Sequence, residues 1–258
     1  MKKADDLSID KTLAFAETCY EAKQTNTGEN LFAHSQRVAY QAETIAQKLY
    51  QDMRAEYVPE NAKDSVAAII HCGLLHDVLN VSSCAFENIA EIANVQIAAM
   101  VAAISRDFRL VETKRDMEFR GRLSQSAVGT QIVAVADIIC TAKEVLKRLE
   151  ATGMLFVPKA KKILAQLDGD LLAVHAANKY YMLRLYVHAA RNLLVDISQN
   201  IKACRQKAKM EKALLQTAKT VQESLAAKEA QKKTCTKAKE KKPEVRYARK
   251  RNLRTDTE

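Results

Sequence analysis

The sequence of 258 residues contains no tryptophan, only three prolines and only six glycines. Proline and glycine interrupt helices most strongly, whereas Ala, Leu, Lys, Glu and Gln, which are abundant here, favour them. So few interrupting residues exclude a chain with frequent tight turns. The composition therefore predicts an almost all-α protein with long helices.

The chain also lacks the features of a secreted or membrane protein. No apolar run approaches the ~20 residues that a membrane-spanning helix needs. The first residues, "MKKADDLSIDK", are acidic where a signal peptide carries its apolar core. The six cysteines are scattered, with no C-x-x-C pair and no disulfide-framework spacing. We therefore expect a cytoplasmic protein with reduced thiols and no membrane partner.

An excess of positive charge is missing from most of the chain. Residues 1–200 carry 23 Lys and Arg against 24 Asp and Glu, whereas residues 201–258 carry 18 against 7. Clustered Lys and Arg neutralise phosphates without reading a sequence, so this tail is a candidate for binding nucleic acid or an acidic protein. A solvated helical extension is an equal alternative, and the charge alone does not decide between them.

The apolar pattern divides the chain into three segments. Residues 1–155 contain most of the apolar periodicity, and residues 156–200 add helices that we expect to pack on them. Residues 201–258 form an Ala/Lys-rich tail that we expect to be helical at first and then disordered. Gly169 is expected to end one helix, and a second, very long helix is expected to start at Asp170.

Metal-ligand side chains occur at three places inside apolar helical stretches. They are His34 in "LFAHSQRVA", His76 with Asp77 in "LLHDV", and Asp137 in "VAVADIICTA". A buried carboxylate without a partner is strongly unfavourable, so Asp137 needs a cation or a set of hydrogen bonds. Two imidazoles and two carboxylates suit Mn²⁺, Fe²⁺ or Zn²⁺ better than Ca²⁺. His71, one helical turn from His76, is expected to be an ordinary core histidine.

This order of residues, H…HD…D, resembles the signature of the HD superfamily of metal-dependent phosphohydrolases. Within it, "GENLFAHSQRVA" and "LLHDV" are similar to the (p)ppGpp hydrolase domain of RelA/SpoT-type enzymes and small alarmone hydrolases, over about residues 5–150. The resemblance implies an HD-type helical bundle in 1–155. It also implies hydrolysis of a phosphoester or pyrophosphate bond in a nucleotide. The implied metal is Mn²⁺, and its implied ligands are His34, His76, Asp77 and Asp137.

The sequence departs from that family at positions that carry its chemistry. Where the family has a Glu-Asp pair that helps activate the hydrolytic water, this chain has Asn80 and Val81, and neither side chain accepts a proton. The family's nucleotide-contacting positions also differ. They are occupied here by Gln24, Thr25 and Asn26 before the first histidine, and by Ile138 and Thr141 after the last aspartate.

Other residues are candidates to replace the missing groups. Glu87 follows Asp77 by about three helical turns, and Glu118 matches an acidic residue of the small hydrolases, so both are candidate catalytic residues. Arg37, Arg120 and Arg122 lie near the metal motifs in the sequence and are candidates for binding substrate phosphates.

Three functions stay open on the sequence alone. The first is a (p)ppGpp-hydrolase-like enzyme, and the second is an HD hydrolase for another nucleotide. The third is a catalytically degenerate module that binds a metal or nucleotide and acts through a partner, for which Asn80 and Val81 argue. We expect no alarmone synthesis, because too few residues follow residue 200 for a synthetase domain.

Overall fold

The computed structural model describes residues 7–52, 62–177 and 181–239, and these residues contain helices and no strand. This confirms the all-α prediction. The helices are α1 (Ile9–Tyr20), α2 (Leu31–Asp52), α3 (Ala62–Leu75), α4 (Val78–Val81), α5 (Phe86–Ile92), α6 (Val95–Ile104), α7 (Glu112–Gln125), α8 (Val128–Thr152), α9 (Val157–Ala177) and α10 (Tyr181–Lys239), with a 3₁₀ turn at Gly153–Leu155.

Helix α8 is at the centre of the core. Its apolar residues cover almost its whole circumference, as expected for a helix surrounded by others, and α2, α3, α6, α7 and α9 all pack against it. Ile132, Val135 and Val145 are fully buried. The helix ends at Thr152, and Gly153 follows it with a φ of +55°.

Gly169 does not end a helix, so that prediction was wrong. Helix α9 continues through it, although glycine in a helix costs about 1 kcal/mol relative to alanine. The guanidinium group of Arg120 lies where a Cβ at this position would be. From there Arg120 donates a hydrogen bond to Asp170, with an Nε to Oδ1 distance of 3.2 Å. The glycine therefore gives α7 room to contact α9.

The chain divides into two units, the first ending at Arg205 and the second starting at Gln206. In the first unit the apolar residues of α10 up to Ile201 join the hydrophobic core. In the second unit the larger apolar residues are exposed, namely Met210, Leu214, Leu215, Val221 and Leu225. The sequence-based division at 155 and 200 stays a prediction. Among the described helices, none has both the length and the apolarity to cross a bilayer.

Candidate metal centre and adjoining cavity

A break between α3 and α4 carries two of the predicted ligands. Helix α3 ends at Leu75 and leaves His76 and Asp77 in a turn. The backbone N–H of Asp77 donates to Tyr20 Oη at 3.1 Å. The turn therefore holds both side chains at the end of a buried helix, with Asp77 anchored to α1.

Gly73 brings this turn close to α2. A Cβ on Gly73 would lie only 2.7 Å from the Cα of Ala39, closer than real side chains approach a backbone. The absence of a side chain therefore allows α3 to pack tightly on α2. The ring centroids of His34 and His76 consequently lie 5.4 Å apart.

The predicted ligands come together around these two rings. The ligand atoms of His34, His76 and Asp137 all lie within 4.8 Å of one another. His34 Nε2 is 3.0 Å from Asp137 Oδ1, and His76 Nε2 is 3.9 Å from the same oxygen. Asp77 joins through His76, with an Oδ2 to Nε2 distance of 3.5 Å. Helices α2 and α8 and the α3–α4 turn thus contribute to one cluster.

The orientation of the His76 ring fits a metal ligand. Its Nδ1 donates to the carbonyl oxygen of Gly73 at 2.8 Å, and since a carbonyl only accepts, Nε2 carries the lone pair. That Nε2 atom is buried and has no hydrogen-bond partner among the described residues. A buried acceptor without a partner is unfavourable, and a cation would satisfy it. With two imidazoles and two carboxylates, the cluster suits a divalent metal ion.

Glu144 also belongs to this centre, although the sequence analysis did not select it. Its Oε1 atom lies 2.6 Å from His34 Nδ1, and its side chain is only 10% exposed. Glu144 follows Asp137 by seven residues on α8, which places both on one helix face. That spacing is the signal by which it could have been found.

The two carboxylates control the protonation of His34. Burial lowers the pKa of His34, but the hydrogen bonds with Asp137 and Glu144 outweigh burial and raise it to about 10. Burial raises the pKa of Glu144, but its hydrogen bond with His34 and further contacts lower it to about 2. His34 is therefore an imidazolium between two carboxylates, and it must lose this proton before Nε2 can bind a metal.

A cavity of about 350 Å³ opens beside the cluster. All four predicted ligands line it. The positions at which the sequence departs from the HD pattern line it too, namely Gln24, Thr25, Asn26, Asn80, Val81, Ile138 and Thr141. The departures are therefore gathered on the walls of one cavity.

No family model matches the chain, and no curated protein matches it. Among solved structures, a similar chain is described as a metazoan orthologue of SpoT that hydrolyses ppGpp and plays a role in starvation responses. The match covers 72% of this chain and 97% of that one, with a TM-score of 0.50 and 14% sequence identity. The chain therefore has the same all-helical fold as that protein. At this identity the likeness establishes the fold and leaves the substrate open.

Two of the departures hold candidate ligands in place. Asn80 Nδ2 donates to Asp77 Oδ1 at 2.8 Å, while Asn80 Oδ1 accepts from the backbone N–H of Arg106 at 2.9 Å. Thr141 Oγ1 donates to Asp137 Oδ1 at 3.1 Å. Such outer contacts fix the orientation of ligand side chains and commonly matter for metal affinity. Asn80 and Thr141 therefore have a structural use in place of acid–base or nucleotide chemistry.

The residues predicted to replace the missing catalytic groups lie elsewhere in the structure. Glu87 on α5 and Glu118 on α7 are exposed, and neither lines the cavity. Phe119, beside Glu118, is buried, so α7 turns the neighbouring carboxylate outward. Their catalytic role rests on the sequence alone and stays a prediction.

The three predicted phosphate-binding arginines are also outside the cavity lining. Each is bound to another group of the protein. Arg37 donates to Glu29 and Glu144, Arg120 donates to Asp170, and Arg122 donates to the carbonyl oxygen of Ser105 at 2.5 Å. The structure therefore gives these arginines structural partners, and their substrate contacts stay predictions.

Arg106 lines the cavity instead, and nothing in the sequence separated it from the other arginines. Its guanidinium carbon lies 4.1 Å from the ring centroid of Phe119. It forms ion pairs with Asp116 and Asp170, and its side chain is 11% exposed. The one Lys or Arg side chain of the described cavity lining is thus already paired with two carboxylates.

Proposed function

We propose that this chain is a metal-dependent phosphohydrolase that cleaves a phosphoester or pyrophosphate bond in a nucleotide, with a (p)ppGpp-like compound as its substrate. The observation that carries the proposal is His76 Nε2, a buried nitrogen without a hydrogen-bond partner among the described residues, which lies close to three further candidate ligands beside a cavity. The ppGpp hydrolysis described for the structurally similar metazoan protein supports the choice of substrate.

In this proposal His34, His76, Asp77 and Asp137 hold one Mn²⁺ ion. A bound divalent ion lowers the pKa of water and polarises a phosphoryl oxygen. The protein keeps the two imidazoles oriented through Glu144 and the Gly73 carbonyl. The cavity walls exclude bulk water and supply hydrogen-bonding groups for the nucleotide, among them Gln24, Asn26 and Gln166.

The proposed enzyme works without the family's acidic pair. Asn80 and Val81 stand at the cavity wall, and a missing general acid or base lowers a rate by roughly 10²- to 10⁴-fold. Asp170 also lines the cavity, but it is tied to Arg106 and Arg120. We therefore expect slow turnover that depends on the metal.

The test combines metal content with nucleotide cleavage. Elemental analysis is applied to the full chain, to Asp77→Ala and to Asp168→Ala, a control on the exposed surface of α9. Phosphate and pyrophosphate release is then measured from ppGpp, GTP and dGTP with Mn²⁺ present. We expect one ion in the wild type and the control, none in Asp77→Ala, and cleavage only where the ion is present. A wild type that holds no metal contradicts the proposal.

The alternative is a degenerate HD module that binds a metal or nucleotide and acts through a partner. Asn80 and Val81 favour it, because neither can replace an acidic catalytic residue. The basic tail would contact the partner, a nucleic acid or an acidic protein, and the exposed apolar residues after Gln206 fit such a role. Metal and nucleotide binding without any cleavage is the outcome that selects this alternative.

A further inference from the structure

Glu144 contacts more than a metal ligand. Three donors converge on its carboxylate, which is almost completely buried. His34 Nδ1 and Arg37 Nη2 each lie 2.6 Å from Oε1, and Thr27 Oγ1 donates to Oε2 at 2.7 Å. Both oxygens are therefore fixed, one by the metal site and the other by the segment before α2.

That segment, residues 24–30, is a compact loop that forms one wall of the cavity. Thr25 N–H donates to the Glu29 carbonyl at 2.8 Å, and the Thr25 and Thr27 hydroxyl oxygens lie 2.6 Å apart. Thr27 is 5% exposed, and the first four residues of the loop line the cavity. The loop is thus internally bonded, and Thr27 connects it to the inside of the protein.

Arg37 forms a second connection between Glu144 and the loop 24–30. Its guanidinium donates to Glu144 and to Glu29, a residue of the same loop. The loop therefore reaches Glu144 by two routes, directly through Thr27 and indirectly through Glu29 and Arg37. This explains why Arg37, three residues after His34, is outside the cavity lining.

From these contacts we infer that Glu144 is a positioning residue that couples the cavity-wall loop 24–30 to the metal ligand His34. Its Oε1 atom accepts from Nδ1 and so keeps Nε2 of His34 directed toward Asp137. Its Oε2 atom fixes the loop through Thr27. This inference rests on the metal site of the proposed function. It extends that function, because the orientation of His34 then depends on the loop 24–30, which forms part of the wall of the proposed nucleotide cavity.

The test measures the affinity for Mn²⁺ itself, by competition with a metal chelator and without any nucleotide. Outer-shell partners of metal ligands typically change metal affinity by roughly 10- to 100-fold, so we expect a rise of that size in the Kd of Glu144→Gln. The matched control is Glu150→Gln, an exposed glutamate on the same helix, for which the Kd stays unchanged. All variants are compared well below their unfolding temperatures, so that a loss of stability is not counted as a loss of affinity.

A second variant tests the link to the loop and serves if Glu144→Gln does not fold. Thr27→Val removes the hydroxyl group and keeps the shape of the side chain. We expect its Kd for Mn²⁺ to rise by a smaller factor, and we expect no further rise when it is combined with Glu144→Gln, because both act through one carboxylate.

The outcomes separate this inference from the proposed function. If the wild type binds Mn²⁺ and Glu144→Gln binds it equally well, the positioning role is wrong while the metal site stands. Equal effects of Thr27→Val with and without Glu144→Gln contradict the coupling to the loop. A wild type that binds no Mn²⁺ overturns both, because His34 then has no metal to be oriented toward.

Discussion

The two sides of the cavity use their side chains differently. On the ligand side, each of the four candidate ligands forms a hydrogen bond with a group outside the ligand set. On the opposite side, Gln24, Thr25 and Asn26 are neutral, and Arg106 is already paired with two carboxylates. The difference shows that the side chains of this site are arranged to bind a cation. They offer few groups that could transfer a proton or bind several phosphates.

The largest expected effect comes from placing an acidic pair in the cavity wall next to the ligand cluster. Asn80→Glu combined with Val81→Asp supplies carboxylates next to the ligand cluster, and a gained general base is worth roughly 10²- to 10⁴-fold in rate. We expect kcat for the nucleotide that the wild type cleaves to rise toward this range.

The control for this prediction is Asn80→Gln, which keeps a neutral amide and should bring no gain. Metal content is measured in each variant, because a carboxylate at position 80 also faces Asp77. If the double variant retains its metal and cleaves the nucleotide no faster, the absence of the acidic pair at positions 80 and 81 does not limit the rate.

A smaller effect is expected from separating the two histidine-bearing elements. Gly73→Ala places a methyl group against the backbone of Ala39, and such overpacking costs roughly 1–3 kcal/mol. We expect the free energy of unfolding to fall by this amount and the affinity for Mn²⁺ to fall with it, since His34 and His76 are forced apart. Urea denaturation and chelator competition measure the two effects.

Gly121→Ala is the matched control. Gly121 lies inside α7, and a Cβ there meets nothing within 4 Å, so alanine should stabilise the protein by up to about 1 kcal/mol. Metal affinity should not change. A similar loss in both variants would mean that the close approach at Gly73 has no special part in forming the cluster.

The smallest expected effect concerns His71, a buried histidine outside the ligand cluster that serves as a comparison for His34 and His76. Burial lowers the pKa of His71, whose Nδ1 lies 2.8 Å from Thr12 Oγ1. His71 therefore binds a proton less readily in the folded protein than in the unfolded chain. The free energy of unfolding consequently falls as the pH drops below the usual histidine pKa of about 6.5.

Replacing this histidine should reduce that loss. In His71→Gln, the decrease in the free energy of unfolding between about pH 8 and about pH 5.5 is expected to be smaller than in the wild type. Urea denaturation at the two pH values measures it. An unchanged or larger decrease would contradict the neutral, structural state of His71.

The sequence was sufficient for the fold and for the ligand cluster for a definable reason. His34, His76, Asp77 and Asp137 stand in apolar stretches of the sequence, where polar residues are rare and thus informative. Glu144 and Arg106 stand among other charged residues, and their importance comes from partners far away in the chain. Arg120 was selected as a candidate phosphate contact, and the structure adds a partner that the sequence did not show, because Gly169 leaves room for its hydrogen bond with Asp170 on α9.

The imidazolium of His34 between Asp137 and Glu144 also bears on the order of assembly. Small zinc domains are unfolded until the metal arrives, because nothing else balances their ligands. Here the raised pKa of His34 favours a proton on its ring when no ion is bound, and this proton offsets part of the negative charge of Asp137 and Glu144. The chain is thus equipped to fold first and to load its ion afterwards, so a chelator should empty it reversibly and leave a folded protein that can be refilled with a metal of choice.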